Sequence, residues 1–278
     1  MLGQLGENAK FLAGGQSLIP LLKLRFANPE HLVDLNFIAG TSFIKQEAGA
    51  LHFGAMSRHA EIEHSALARK ISVLHDCAAG IADVQVRNRG TIGGSLAEAD
   101  PSGDWASALI TLDTAVHCLG RNGGRTIHLS DFIKDAYTTA LAHDELVTEV
   151  EVKIPPKGSG GAYLAFKRSA PVYPSASVAV QLTMAGDVCQ DAAIALGCVG
   201  LTAIRATNAE TALRGQILND KTISAAAEEA RAAADPQPDM RGSAEYKRQL
   251  VVALLKRAIQ IAVRRARGEQ VEGAHLYA

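Results

Sequence analysis

The sequence Arg87-Asn88-Arg89-Gly90-Thr91-Ile92-Gly93-Gly94-Ser95, followed by Asp100-Pro101 and Asp104, is the stretch around which this chain is organised. Two adjacent glycines can adopt backbone angles closed to other residues and let main-chain N–H groups approach a ligand closely. Successive N–H groups in such a turn form a partly positive nest that suits phosphate oxygens. A second diglycine stands upstream, in Ala13-Gly14-Gly15-Gln16-Ser17. Two nests on one chain suit a pyrophosphate, which would be held from two sides.

These two segments, the first glycine motif (residues 13–17) and the second glycine motif (residues 91–95), differ from the common nucleotide loops. The P-loop pattern G-x-x-x-x-G-K-[ST] and the dinucleotide fingerprint G-x-G-x-x-G are both absent, so the sequence does not support a Rossmann crossover. A lone diglycine is more often an ordinary tight turn. Two diglycines with a nearby Ser, the second one between RNRG and a pair of Asp residues, favour a ligand site.

Composition excludes several classes of function. The 278 residues are 47% hydrophobic and 21% charged, which allows one large or two medium globular domains. A formal net charge of −1 argues against a nucleic-acid or anionic-membrane surface, because such surfaces need a basic excess. There is no signal peptide and no apolar run near 18 residues, so the sequence predicts a cytoplasmic protein without a membrane span.

Spacing of the reactive residues predicts neither a metal site nor a catalytic group. The four cysteines contain no C-x-x-C pair, so an iron–sulfur or zinc site in this chain is not expected. His59 and His64 lie five residues apart, off the H-x-x-x-H spacing of a helical metal site. No nucleophile and base form a recognisable grouping. The chain alone therefore looks incomplete as a catalyst.

Three segments carry a resemblance to a known family: AGGQSLIPLLKLR (residues 13–25), QVRNRGTIGGSLAEADPSGD (residues 85–104) and YLAFKR (residues 163–168). They resemble the FAD-binding medium subunit of the molybdenum hydroxylases, the family of xanthine dehydrogenase and carbon monoxide dehydrogenase. The similarity runs from about residue 3 to about residue 267. It implies an α+β fold, in which a two-lobed FAD-binding domain of the vanillyl-alcohol-oxidase (PCMH) type precedes a small C-terminal domain.

The resemblance also sets domain boundaries. Residues 1–157 would form the FAD-binding domain, and residues 162–268 the C-terminal domain, a three-stranded antiparallel sheet with helices. Members of the family usually begin with a strand and a helix ahead of the point where this sequence starts, so we expect that segment to be missing. Pro155-Pro156-Lys157-Gly158-Ser159-Gly160-Gly161 reads as the linker between the domains.

Apolar spacing predicts several elements from the residues alone. Leu67, Ile71, Leu74 and Ala78 mark one face of a helix that Gly80 would stop. A helix that opens at Ser102 or Asp104 would run towards Asp113. The strands of the C-terminal domain are expected at residues 163–168, 177–184 and 188–199. Two or three helices close the chain, among them residues 224–234 and 243–268.

The resemblance places FAD, bound non-covalently, against residues that match the family's motifs. The first glycine motif would surround the pyrophosphate, and the second would lie on the other side of the cofactor. Asp104 and Ile81 would lie on the adenosine side, and Leu146 or Val147 would contribute backbone contacts. Gly14 and Gly93 are expected to need positive φ or close backbone approach. The residues expected to bind the cofactor are Ala13, Gly14, Gly15, Gln16, Ser17, Ile81, Thr91, Ile92, Gly93, Gly94, Ser95, Asp104, Leu146, Lys167 and Tyr173.

Two residues are assigned to the flavin ring by the same resemblance. Lys167 would lie near the isoalloxazine, where a cation favours the negative charge of reduced flavin. Tyr173 would lie over the ring, although Pro171 and Pro174 replace the family's usual Gly-Asp-Tyr context and stiffen the loop. The residues alone leave two simpler readings open. Asp104 could be an ordinary first-turn carboxylate of a helix, and Lys167 could be a surface lysine on a strand.

The function implied by the resemblance is that of an electron-transfer subunit. A large molybdopterin subunit would oxidise the substrate, a small subunit would relay electrons through two-iron, two-sulfur clusters, and FAD on this chain would pass them to NAD, oxygen or a quinone-linked carrier. The complex would be a dimer of heterotrimers. One alternative is a self-contained FAD oxidoreductase of the same fold, which would need its own base. Another is a nucleotide-binding scaffold whose FAD never cycles.

Overall fold

Two large antiparallel sheets and a small parallel one organise the computed structural model, which describes residue 6 and residues 8–272. The strands are β1 (Ala9–Leu12), β2 (His31–Asp34), β3 (Ile44–Glu47), β4 (Ala50–Gly54), β5 (Thr114–Gly120), β6 (Gly123–His128), β7 (Ile133–Asp135), β8 (Thr138–Thr139), β9 (Leu146–Lys153), β10 (Ser159–Phe166), β11 (Ala176–Ala185), β12 (Val188–Gly197) and β13 (Ile204–Arg205). The α-helices are α1 (Leu18–Lys23), α2 (His59–His64), α3 (Ser72–Gly80), α4 (Val84–Arg87), α5 (Ile92–Glu98), α6 (Asp104–Leu109), α7 (Leu129–Phe132), α8 (Thr207–Leu213), α9 (Asp220–Ala233) and α10 (Ala244–Ala266).

The first lobe is the parallel pair β1 and β2, joined by α1. Parallel neighbours need a crossover connection, and here the crossover includes α1. Because β1 ends at Leu12, the first glycine motif lies in the connection between the strand and the helix. Asn36, just after β2, donates from its side-chain amide to the carbonyl of Ala13 at 3.0 Å. The two strand ends are thereby tied together around the motif.

The second lobe is a five-stranded antiparallel sheet in the order β3-β4-β9-β5-β6. Along β9 the side chains of Val150 and Val152 are buried, and the residues between them point to the other face, as a period of two requires. The buried face packs against α3, α5 and α6, with Trp105 and Phe53 fully buried at its centre. This packing fixes α5, which carries the second glycine motif, against the sheet.

The C-terminal domain is a four-stranded antiparallel sheet in the order β10-β11-β12-β13, with α9 and α10 among the helices packed on it. The expectation of three strands is therefore wrong by one. The missing strand, β13, is only Ile204–Arg205 and pairs with Ala195 and Leu196 of β12. Two residues are too few to show the alternation by which a strand is recognised in sequence.

Other boundaries also differ from the predictions. The expected helix over residues 67–78 is a 3₁₀ turn at Ala68–Lys70 and the separate helix α3, interrupted at Ile71, whose backbone is extended. The helix α6 ends at Leu109, well before Asp113. The expected linker is shorter, since β10 already begins at Ser159.

Gly160 and Gly161 are packing residues and not linker residues. A Cβ on Gly160 would lie 2.9 Å from the Cα of Ala266 in α10, and a Cβ on Gly161 would lie 2.5 Å from the side chain of Val73 in α3. These two glycines let β10 approach one helix from each domain. Flexibility and close packing both require glycine, so composition alone could not separate the two roles.

A buried ion pair joins the two domains. Arg265 of α10 donates to Asp76 of α3 through two bonds of 2.6 and 3.1 Å, and the Asp76 side chain is 1% exposed. Arg265 also donates to the carbonyl of Gly161, and the backbone N–H of Tyr163 donates to Asp76. The domains therefore share a fully hydrogen-bonded contact in place of a loose linker. Among the described residues, no helix is long and apolar enough to cross a bilayer.

Candidate functional site

A cleft of about 310 Å³, the first cleft, lies where both lobes meet the C-terminal domain. The two glycine motifs, which are some 75 residues apart in sequence, lie on the same cleft through Ala13–Ser17 and through Thr91, Gly94 and Ser95. The fold therefore brings together the two segments that the sequence analysis singled out. The first cleft is also lined by four other residues that were predicted to bind the cofactor, Ile81, Asp104, Lys167 and Tyr173.

The first glycine motif has the free N–H groups that an anion needs. The backbone N–H groups of residues 14–17 have no hydrogen-bond acceptor within the described part of the chain. Gly15 has φ of +73°, in the left-handed region that glycine favours. Ser17 stands at the N-cap position of α1, and its hydroxyl makes no capping bond. The nest predicted from Ala13-Gly14-Gly15-Gln16-Ser17 is present and unfilled by protein groups.

A chain of contacts holds this motif against the second lobe. Arg58 donates to the side-chain oxygen of Asn36 and to the carbonyl of Arg89, while Asn36 holds Ala13. Gly14 lies directly against the backbone of Arg89 and Gly90, where a Cβ would come within 2.7 Å of the Gly90 Cα. The RNRG segment (residues 87–90) therefore packs against the first glycine motif.

The second glycine motif differs from the predicted nest. The N–H groups of Ile92 and Gly93 donate to the carbonyls of Ser57 and Ala55, at 3.1 and 2.9 Å. The N–H of Gly94 donates to the hydroxyl of Thr91, which caps α5. These donors are already used by the protein. The prediction of a second row of free N–H groups is therefore wrong, and the glycines of this motif serve close packing.

Packing explains both glycines of the second motif. A Cβ on Gly93 would lie 2.5 Å from the Ala55 Cβ, and a Cβ on Gly94 would lie 2.7 Å from the Thr91 hydroxyl. Neither Gly14 nor Gly93 has positive φ, which contradicts that part of the expectation. The side chain of Ile92 is fully buried and does not line the cleft. Thr91, Gly94 and Ser95 remain available to a ligand.

Asp104 lies on the first cleft as a buried carboxyl. It is 5% exposed and accepts a hydrogen bond of 2.7 Å from the Tyr163 hydroxyl. Burial raises the pKa of Asp104 above its usual value, while the positive charge of Lys167 and the bond from Tyr163 oppose that rise. Asp104 does stand in the first turn of α6, but its burial beside a charged lysine sets it apart from an ordinary helix-capping carboxylate.

Lys167 is buried as well, which excludes the alternative of a surface lysine. It is 5% exposed, follows the last residue of β10, and donates to the carbonyl of Gly80 at the end of α3. Tyr173, in contrast, is 48% exposed, on the segment Pro171–Pro174 at the rim of the cleft. Burial of its ring and the neighbouring Asp100 raise the pKa of Tyr173, so its hydroxyl stays protonated near neutral pH.

A second cleft, of about 400 Å³, continues from the first on the other side of the second glycine motif. The two clefts share the lining residues Phe11, Ala13, Gly94 and Glu98 and are therefore adjacent; together they are called the groove. The predicted contact residue Leu146 and the motif residue Gly93 line this second cleft.

The division of the groove revises one expectation. Asp104 and Ile81 were assigned to the adenosine end and Lys167 to the flavin end, but all three line the first cleft. Lys167 is close enough to lower the pKa of Asp104, so the two cannot mark opposite ends of a dinucleotide. Leu146 and Val147 are the only predicted residues outside the glycine motifs that line the second cleft.

His59 lines the first cleft and was missed by the sequence analysis. The indole N–H of Trp105 donates to Nδ1 of His59 at 3.1 Å. Because an indole nitrogen can only donate, Nδ1 must be the acceptor, and the ring proton must be on Nε2. Burial, with Arg58 and Arg87 nearby, lowers the pKa of His59 to about 3, so the ring is neutral. Nε2 finds no partner among the described residues.

His59 therefore presents one unpaired, uncharged donor beside the first glycine motif. Its Nε2 lies against Gly90, where a Cβ would come within 2.6 Å of that atom. The sequence signal was weak, because the histidines were compared only at metal-ligand spacings. The partner that fixes its protonation, Trp105, is 46 residues away in the chain.

Comparison with known proteins agrees with the two domains. The family model described as "FAD binding domain in molybdopterin dehydrogenase" matches residues 1–156, and the model described as "CO dehydrogenase flavoprotein C-terminal domain" matches residues 161–262.

Two curated relatives match along most of their length. The carbon monoxide dehydrogenase medium chain of Afipia carboxidovorans is 39% identical over 96% of this chain and 93% of its own. The 6-hydroxypseudooxynicotine dehydrogenase complex subunit alpha of Paenarthrobacter nicotinovorans is 37% identical over 96% and 91%. Among solved structures, a carbon monoxide dehydrogenase from Hydrogenophaga pseudoflava, which lacks the Mo-pyranopterin moiety, superposes with a TM-score of 0.92 at 39% identity over 95% and 92%.

Proposed function

Because this chain belongs to the FAD-binding medium-subunit family of the molybdenum hydroxylases, we propose that it is the FAD-carrying electron-transfer subunit of such a complex. Its partners are a large molybdopterin subunit and a small iron–sulfur subunit, assembled as a dimer of heterotrimers. The molybdopterin and the two-iron, two-sulfur clusters belong to those partners. The observation that carries the proposal is the first cleft, lined by four backbone N–H groups at residues 14–17 that have no acceptor among the described residues, with the second cleft next to it.

The residues of the groove fit FAD. The free N–H groups of the first glycine motif suit the pyrophosphate, helped by the positive N-terminal end of α1. The hydroxyls of Ser17 and Ser95 and the Nε2–H of His59 can donate to phosphate or ribityl oxygens. In this proposal the adenosine lies in the second cleft near Leu146, and the isoalloxazine lies in the first cleft near Lys167 and Tyr173.

FAD, when bound, supplies the ability to take up electrons singly and release them in pairs. The chain's own groups position the ring and set its electrostatic surroundings. The buried cation of Lys167 favours negative charge beside it, and Tyr173, at the rim, shields the open side of the first cleft. Asp104, with a raised pKa and a bond from Tyr163, fixes the geometry around Lys167. No role in substrate oxidation is assigned to any of them.

The deciding experiment compares the chain alone with the assembled complex under anaerobic conditions. FAD-loaded chain is mixed with candidate aldehydes, N-heterocycles or carbon monoxide, and the flavin absorbance is followed with and without the two partner subunits. We expect bleaching only when both partners are present. Bleaching of the isolated chain by substrate would instead support the self-contained oxidoreductase. FAD that never bleaches even in the complex would support a scaffold. The predicted cytoplasmic location is tested separately by cell fractionation.

We predict that the flavin is held without a covalent bond. Acid or heat denaturation of the purified protein should release free FAD into the supernatant, and the precipitate should be colourless. The reason is that the contacts proposed here are hydrogen bonds from residues 14–17 and neighbouring side chains, all of which are lost on unfolding. A yellow precipitate that retains its absorbance after washing would contradict this prediction.

Loss of the His59 donor should weaken flavin binding. His59→Phe keeps a ring of similar shape and removes the Nε2–H, so we expect the Kd for FAD to rise about tenfold, as a hydrogen bond to a charged oxygen is worth roughly 1.5–3 kcal/mol. His75→Phe is the matched control, since His75 is half-buried, bonds the Glu63 carbonyl at 3.0 Å and does not line the groove. Equal affinity in the two variants would exclude a contact from His59.

A further inference from the structure

Two histidines and two glutamates meet on the second lobe, outside the groove. Glu149 and Glu151 lie two residues apart on β9 and so point to the same face of the sheet. His52 on β4 is directly opposite Glu151, and His117 on β5 is directly opposite Glu149. The four side chains, here called the His–Glu cluster, form a quadrilateral across three adjacent strands. The carboxylates occupy the central strand, with one imidazole on each side.

Three of the four side chains bring ligand atoms close enough together to share one ion, and His117 lies beside the two glutamates. His52 Nδ1 lies 2.6 Å from Glu149 Oε1, and His117 Nε2 lies 3.0 Å from Glu151 Oε2 and 4.0 Å from Glu149 Oε1. One ligand atom each of His52, Glu149 and Glu151 lies within 4.8 Å of the others. Ligands of a tetrahedral zinc ion lie about 2.0–2.2 Å from the metal. His52, Glu149 and Glu151 are therefore the three nearest ligands, and His117 must turn towards the ion to become the fourth.

The charge of the cluster suits a divalent cation. Two lysines lie near the cluster, but each forms its ion pair with a carboxylate outside it: Lys45 pairs with Glu47 at 3.1 Å and Lys153 pairs with Asp113 at 2.5 Å. Within the described residues, the carboxylates of Glu149 and Glu151 have only imidazoles as side-chain partners. Their side chains are 23% and 29% exposed, so their mutual repulsion is only partly screened by water. The two carboxylates supply two negative charges, which match the charge of one divalent ion.

The second ring nitrogen has a hydrogen-bond partner in His117 but not in His52. A ring that binds metal through one nitrogen carries its proton on the other. For His117 that other nitrogen is Nδ1, which lies 3.0 Å from the Thr126 hydroxyl, a group able to accept a hydrogen bond. For His52 it is Nε2, which is buried and has no partner within the described residues. The present hydrogen bonds thus leave one nitrogen of His52 unused.

We propose that the His–Glu cluster is a binding site for a divalent transition-metal ion, with Zn²⁺ as its best-matched occupant. Imidazole and carboxylate ligands together favour zinc over calcium or magnesium, which prefer oxygen ligands alone. A four-ligand site without an open position is typical of a structural metal. Such an ion would cross-link β4, β9 and β5. Those strands also support the groove, because Ala55, just after β4, packs against Gly93.

Metal titration of the purified, chelator-treated protein tests the proposal. We expect ZnCl₂ to bind at one ion per chain in calorimetry and to raise the melting temperature, and CoCl₂ to give the visible absorption of a tetrahedral site. The double variant Glu149→Gln with Glu151→Gln should weaken zinc binding by about 100-fold or more, because loss even of outer-shell partners costs 10–100-fold. His117→Gln should weaken binding through a different ligand, which guards against a folding defect in the double variant.

The matched control is His128→Gln, at the rim of the same sheet. His128 lies 3.5 Å from Asp113 in an acid–histidine pair that is not part of the cluster, and this variant leaves the pair between Asp113 and Lys153 in place. This variant should bind zinc like the unaltered protein. Absence of stoichiometric binding at micromolar zinc, or equal binding by the double variant, would show that the four residues form only cross-strand hydrogen bonds. Neither outcome depends on FAD, so the test stands apart from the proposed function.

Discussion

Gly14→Ala is expected to abolish stoichiometric FAD binding. Its Cβ would lie 2.7 Å from the Gly90 Cα and 2.9 Å from the Arg89 carbonyl carbon, and it would contact the Arg89 carbonyl oxygen more closely still. These are backbone atoms, which cannot rotate away as a side chain can. The first glycine motif must therefore shift away from the backbone of Arg89 and Gly90, and the N–H groups of residues 14–17 shift with it. Loss of two charge-assisted hydrogen bonds, roughly 3 kcal/mol or more, corresponds to at least about 100-fold weaker binding.

The control for this variant is Gly124→Ala in β6. A Cβ there would meet only the Cys118 carbonyl oxygen at 3.5 Å, an ordinary contact, and the residue lines neither cleft. Flavin content per chain, measured by absorbance after gel filtration, reports binding, and far-UV circular dichroism reports folding. A folded Gly14→Ala protein with a full complement of FAD would show that the first glycine motif does not hold the cofactor.

The two glycine motifs show what the sequence could and could not predict. The sequence pattern and the family resemblance predicted that both motifs belong to one site, and in the structure both line the groove. Their roles could not be separated, because glycine is needed equally for free N–H groups and for close packing. Gly15 has positive φ, which had been expected of Gly14 and Gly93, whereas Gly93 is glycine because Ala55 lies against it. Only tertiary neighbours distinguish the two cases.

Long-range pairs account for the other differences. The protonation of His59 depends on Trp105, and the burial of Lys167 depends on the end of α3, neither of which is adjacent in sequence. The His–Glu cluster escaped notice for the same reason: its members come from three strands whose order, β4-β9-β5, does not follow the chain. A search for metal ligands at the spacing of a helix cannot find such a site. Short elements such as β13 were missed because two residues carry no periodicity.

Asp76→Asn is expected to destabilise the protein by about 3–5 kcal/mol, the usual cost of removing one partner of a buried ion pair. The substitution keeps the volume of the side chain and removes its charge, which leaves the Arg265 guanidinium buried between the domains at 8% exposure. Bonds from Arg265 to the carbonyls of Gly161 and Val271 remain, but a neutral amide cannot replace the carboxylate. Urea denaturation, followed by circular dichroism, measures the change in the free energy of unfolding.

The same helix offers a surface pair for comparison. Arg264 donates to Glu269 at 2.7 Å, but these side chains are 55% and 45% exposed, so Glu269→Gln should cost less than about 1 kcal/mol. The double variant Asp76→Leu with Arg265→Met removes both charges and should be more stable than Asp76→Asn, because no unpaired charge is then buried. If Asp76→Asn costs no more than Glu269→Gln, the ion pair does not hold the domains together. In that case the glycine-mediated packing of β10 against α3 and α10 must hold them instead.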